Sequence, residues 1–203
     1  MRRRNGHIAS AALRERLAQE SARIMIEHGI VDFRLAKRKA AERLAVTSIG
    51  ALPSNAQIEQ CLAERQRIFE PLAHGARLGD MRRVAARVMA MLADFEPRLV
   101  GPVLAGTATS NTAIELHVFS DTPEAVAQVL AASNVACGEC ERRCRYSGGK
   151  AAMVPGFTLV EDLQRVVILV FTENGLREAP LSPVDGRPMQ RASRAKVATL
   201  VDL

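Results

Sequence analysis

The sequence predicts an α+β protein, with an N-terminal helical region followed by a small mixed sheet and its flanking helices. Three observations carry this expectation. Up to about residue 96, apolar side chains recur at helical spacing. Beyond Pro97, short runs of Val, Ile, Leu and Phe alternate with turn residues, as strands do. The charge changes at the same point: residues 1–98 hold 18 Lys/Arg against 11 Asp/Glu, and residues 99–203 hold 10 against 11.

In the first part, Leu13, Leu17, Ile24 and Met25 keep an approximately helical stripe, and Gly29 after His28 offers a stop. Asp32 is placed to cap a second helix over 33–44. Leu35, Ala36, Ala40 and Leu44 line one side of it, and Arg34, Lys37, Arg38, Lys39 and Arg43 the other. Pro53 interrupts the pattern. Ser54 then opens a third helix, and Gln57 three residues later completes a capping-box spacing, in which each side chain satisfies a free backbone N–H. Ile58, Cys61, Leu62, Ile68 and Phe69 form its expected buried stripe. A fourth helix over 79–94 turns Met81, Val84, Ala85, Val88, Met91 and Leu92 inward, and Pro97 ends it.

In the second part, strands are predicted at 99–104, 113–119, 157–160 and 164–171, with one helix at 122–132. Asp121 is its expected N-cap, with Pro123 early, where a missing N–H costs nothing. Residues 176–192 carry Pro180, Pro183 and Pro188, which favour an extended loop, and 192–201 can close the chain as a short helix. The expected division is 1–75, 76–175 and 176–203.

With 203 residues, 48% of them apolar, the chain can bury a core, so global disorder is not expected. No apolar run approaches the roughly 18 residues that span a bilayer. Arg14, Glu15 and Arg16 interrupt any signal-like stretch after the basic start at Met1, so a soluble, cytoplasmic protein is expected. The basic first part suggests an anionic partner such as nucleic acid or phosphate. Arg outnumbers Lys 24 to 4, and there is no Trp and one Tyr, so any nucleic-acid role would rest on Arg and phosphate rather than on base stacking. The stretch 26–46 resembles the opening of helix-turn-helix repressors. Only Gly29-Ile30-Val31-Asp32 links its helices, however, and no recognition helix follows.

The most informative stretch is 99–119, LVGPVLAGTATSNTAIELHVF. A strand ending at Gly101, then a turn at Gly106-Thr107, allows backbone N–H groups to approach an anion. Glu115 follows between Ile114 and Leu116, where a carboxylate beside such a turn suits a metal bridging to phosphate. This stretch resembles the signature of the nucleotidyltransferase superfamily, the polymerase-beta-like fold, over about residues 76–172. In that family a Gly-Ser turn is followed by Gly-Thr and then by an Asp-x-Asp strand. Gly101 matches the first glycine, Gly106-Thr107 the second pair, and Ala113 and Glu115 fall where the two aspartates belong.

The departures from the family pattern are chemical. Pro102 replaces the serine, removing a hydroxyl and an N–H, and Ala113 replaces the first metal-binding aspartate. Glu115 keeps a carboxylate at the second. The resemblance therefore implies a degenerate member that binds a nucleotide or another phosphate-bearing ligand, with weak or no nucleotidyl transfer. Mg²⁺ is its implied cofactor, and Glu115 is both the implied catalytic residue and the remaining metal ligand. Glu161, Asp162 and Glu173 are the candidates for a third carboxylate. The alternative reading is a non-enzymatic nucleic-acid-binding or regulatory protein that works through Arg34, Lys37, Arg38, Lys39 and Arg43.

Cys137-Gly-Glu-Cys140-Glu-Arg-Arg-Cys144 has a spacing that can grip a metal, although no second such pair exists to complete it. His7, His28, His74 and His117 are scattered, and strand alternation puts His117 on the face of Glu115. Arg177, Arg187 and Arg191 are available to fold back toward a phosphate.

Overall fold

A computed structural model describes residues 2–46 and 52–201, with side chains from Ser10 onward, so the His7 side chain lies outside it. The chain forms two compact units. One comprises Met1–His74, Thr109–Asn111 and Pro183–Asp185; the other comprises Gly75–Ala108, Thr112–Ser182 and Gly186–Leu203. Among the described residues no helix is long and apolar enough to cross a membrane.

The first unit is built from α1 (Arg2–Glu27), α2 (Phe33–Arg43) and α3 (Asn55–Phe69). α1 packs against both partners through Leu17, Ala18, Ala22 and Met25. These meet Ala36 and Ala40 of α2 and Ile58 and Leu62 of α3. Small residues at 18, 22, 36 and 40 let the helices approach closely. Asp32 caps α2 through a 2.8 Å bond from the Leu35 N–H. Ser54 and Gln57 form the full capping box, at 2.9 and 3.1 Å. Gly29 leaves α1 at φ +61°, a conformation that favours glycine, and its carbonyl accepts from Asn111 Nδ2 at 3.2 Å. The expected stripe of α3 is shorter than its pattern. Gln66 is buried in the next turn after Leu62, while Ile68 and Phe69 are exposed. The Arg65 guanidinium lies over the Phe69 ring, 4.9 Å from its centroid.

α4 (Pro71–Met91) starts eight residues before the periodicity suggests, because Pro71 serves as a helix start. Then follow β1 (Arg98–Val100), α5 (Gly101–Ala105), β2 (Ile114–Phe119), α6 (Pro123–Ala132), β3 (Cys137–Arg145), β4 (Ala151–Glu161), β5 (Gln164–Phe171) and α7 (Arg194–Val201). The strands form one sheet in the order β1-β2-β5-β4-β3. β2 and β5 run parallel and every other pair is antiparallel.

One face of this sheet is apolar along β2 and β5, its two parallel strands. Ile114, Leu116 and Val118 of β2, with Val166, Ile168 and Val170 of β5, pack against Met81, Val84 and Val88 of α4, Val126 and Leu130 of α6 and Val197 of α7. Strand alternation sends Glu115, His117 and Phe119 to the other face, beside Val167, Leu169 and Phe171.

Several expectations are corrected. The run at 99–104 is not one strand: Gly101, at φ +69°, turns the chain after Val100, and Pro102 in the first turn of α5 makes the rest helical. Asp121 does not cap α6. Thr122 holds the cap position, and the Asp121 carboxylate accepts from the Glu173 N–H at 3.2 Å. Residues 137–145 form a full strand, and β4 begins at Ala151 rather than at Phe157. From Gly186 the chain groups with the sheet unit, where Leu99 and Ala192 exchange two 2.9 Å backbone hydrogen bonds.

Candidate functional site

Glu115 is the second residue of β2, on the polar-bearing face of the sheet, and its Oε2 is 2.9 Å from Nη1 of Arg142 on β3. Gly101 makes room beside it. A Cβ at Gly101 would stand 3.3 Å from that same carboxylate oxygen, and the positive φ disfavours any other residue. Of the sequence-predicted residues, the structure thus brings Gly101 and Glu115 together.

Gly106 and Thr107 have another local task. Gly106, at φ +81°, terminates α5, and the N–H groups of both residues reach the carbonyl of Pro102. Those amides close a helix end.

His117, two residues along β2, is 1% exposed. Its Nδ1 accepts from Arg191 Nε at 3.2 Å, so the proton of the neutral ring sits on Nε2. Burial, and then the positive charges of Arg191 and Arg142, hold its pKa down to about 3. The Arg191 guanidinium stands over the rings of Phe119 and Phe171, at 5.0 and 5.2 Å, and Nη1 donates to the Gly175 carbonyl at 2.7 Å. Arg191, available on sequence to fold back, does so. Arg177 and Arg187 remain exposed.

The cysteines are arranged by the strand. Cys137 and Cys140 are three residues apart on β3 and point to opposite faces, so they cannot grip one ion as a loop would. Cys140 and Cys144 share the Glu115 face, four residues apart, which is about 13 Å along a strand. Burial raises the thiol pKa of both, so each is a neutral packing group. Among the described residues no cluster of three or more His, Cys, Asp or Glu is arranged to hold a metal.

The donor set around Glu115 also bears on Mg²⁺. Ala113 offers no oxygen, and Val167 is the β5 residue paired with Glu115. Glu161 and Asp162 sit at the β4–β5 turn, where both pair with Arg87. Glu173 lies in the turn after β5. An octahedral Mg²⁺ needs several oxygens, whereas the nearest charged group to Glu115 is itself a cation. These residues do not fit a two-ion centre.

The five basic residues of α2 are spread around its outer surface. Arg34 and Lys39 are exposed, and burial lowers the pKa of the half-buried Lys37. Arg38 pairs with Glu42 at 3.9 Å and Arg43 with Glu20 at 3.4 Å. Glu20 is itself held below the ordinary carboxylate range, first by its hydrogen bond from Arg23.

Sequence reading missed Arg142. The available signal was the alternation Cys140, Arg142, Cys144, which places one cation between two thiols on a single strand face. No protein-family model, curated protein or solved structure matches this chain.

Proposed function

We propose that the sheet unit is a degenerate nucleotidyltransferase-like domain that binds a nucleotide or another phosphate-bearing ligand on its Glu115 face, with weak or no nucleotidyl transfer. The observation that carries this reading is the Arg142–Glu115 pair: a guanidinium occupies the carboxylate where the family resemblance implies a metal. A fixed guanidinium recognises phosphate oxygens directly, with geometric specificity as well as charge. With Glu115 engaged in this way and Ala113 in place of the other carboxylate, the domain retains a means of binding phosphate but not of activating an attacking oxygen.

The test uses the full chain. Nucleoside triphosphates at millimolar concentration should raise the Tm, since a ligand at about 100 times its Kd stabilises by about 2.7 kcal/mol. Pyrophosphate release with Mg²⁺ or Mn²⁺ should stay at the buffer rate in both the wild type and Glu115→Ala. A Tm unmoved by every nucleotide and by inorganic phosphate overturns the reading. Salt-sensitive duplex or RNA binding that disappears on replacing Arg34 and Lys39 would favour a nucleic-acid role for α2 instead.

A further inference from the structure

Arg191 is a partly buried cation whose partners, among the described residues, include no carboxylate. They are a neutral imidazole nitrogen, the carbonyls of Gly175 and Leu176, and two aromatic rings. Its Nη2 is buried and has no hydrogen-bond partner among the described residues. A shielded guanidinium N–H without an acceptor is costly, and native structures rarely keep one unless an ion, water or ligand supplies the missing atom.

The surroundings favour a negatively charged supplier. Arg98 on β1 lies near enough to act on Arg191 electrostatically, and Arg142 acts on His117 in the same way. Against these cations stands the Glu115 carboxylate, already engaged by Arg142. His117 adds a neutral donor: with Nδ1 accepting from Arg191, its Nε2–H is the ring's remaining polar group.

We infer that the Arg191 guanidinium, with His117 beside it and Arg142 on the same sheet face, receives a tetrahedral oxyanion, namely the terminal phosphate of the ligand. Separate N–H donors on different residues suit an anion with oxygens on several sides better than a planar carboxylate. This inference rests on the reading that the sheet unit holds a phosphate-bearing ligand. It assigns the phosphate to Arg191 rather than to the Gly106-Thr107 turn, whose amides are engaged by Pro102.

The experiment titrates the full chain with inorganic phosphate at constant ionic strength, followed by calorimetry and thermal melts, with acetate as the control anion. Wild type should saturate with phosphate and not with acetate. Arg191→Gln should weaken phosphate binding about tenfold or more, and Arg191→Lys, which keeps the charge and loses the fork, about threefold. Unchanged phosphate affinity in Arg191→Gln, or equal saturation by acetate, overturns the inference. Should Arg191→Gln fail to fold, the wild-type Arg191 Nε–H resonance provides the measurement: it must shift along the same phosphate isotherm, and a stationary signal is equally fatal.

Nucleotide arms separate this inference from the reading beneath it. If Arg191→Gln binds nucleoside triphosphates as wild type does, the inference falls and the broader reading stands. If phosphate saturates through Arg191 but no nucleotide binds, the oxyanion site stands and the nucleotide reading falls.

Discussion

Arg142 and Glu115 meet at 2.9 Å although two strands, β5 and β4, separate the strands that carry them. The arginine must therefore lie across the sheet rather than stand on it. Their side chains are 40% and 23% exposed, so solvent screens the pair. Glu115→Gln is expected to cost less than about 1 kcal/mol in urea unfolding, with the difference shrinking in high salt. A loss of several kcal/mol would falsify the view that Glu115 serves mainly as a counter-ion.

His117 gives a pH dependence with a definite sign. Its folded pKa, about 3, lies below its ordinary value near 6.5, so the unfolded chain binds the proton first on acidification. The stability from keeping this ring neutral is complete above about pH 6.5 and is lost as pH falls toward 3. The contribution is at most on the order of 1.4 kcal/mol per pH unit. Unfolding measured from pH 7 to 4 should show a shallower decline for His117→Gln than for wild type. Parallel slopes would show that other groups control the acid limb.

Gly156 on β4 is held by its neighbour rather than by a turn. A Cβ there would overlap the Ile168 carbonyl of the adjacent strand, and Leu169 also crowds the position. Because the obstacle is backbone in the centre of the sheet, it cannot rotate away. Gly156→Ala is expected to cost about 2–3 kcal/mol, seen as a lower denaturation midpoint. A neutral result means the β4–β5 pairing is looser than described.

Ser54 tests the helical unit independently. Removing its hydroxyl breaks the bond to the Gln57 N–H and leaves the Gln57 side chain bonded only to the Ser54 backbone. Ser54→Ala should destabilise the protein by about 1 kcal/mol, measured by chemical denaturation. Ser54→Gly should cost only a few tenths.

The parts legible in the sequence are those where a local rule acts alone. The Asp32 cap, the Ser54–Gln57 box, and the strands around Glu115 and Val167 follow from neighbours in the chain. β3 was obscured because Glu139, Glu141, Arg142, Arg143 and Arg145 put charge on both faces of an edge strand, which erases the alternation that marks a half-buried one. Such charges also protect an edge from pairing with other chains. Asp121 misled because a carboxylate before Pro123 satisfies the cap pattern, while the real demand on it comes from Glu173, 52 residues away. In the site, Glu115 and Gly101 stood out through their spacing. Arg142 did not, because only the folded sheet brings it to that face, and Arg191 stood out only as one of three arginines able to fold back, with Arg177 and Arg187.

The Leu99–Ala192 exchange carries a consequence for biosynthesis. The backbone edge of β1 at Leu99 is covered by a residue made 93 positions later, so during synthesis that edge waits uncapped until Ala192 has emerged. A stalled or prematurely terminated product ending before Ala192 would present Leu99 on an open edge, a template for joining another nascent strand. Only once Ala192 has emerged can Leu99 on that edge gain its backbone partner.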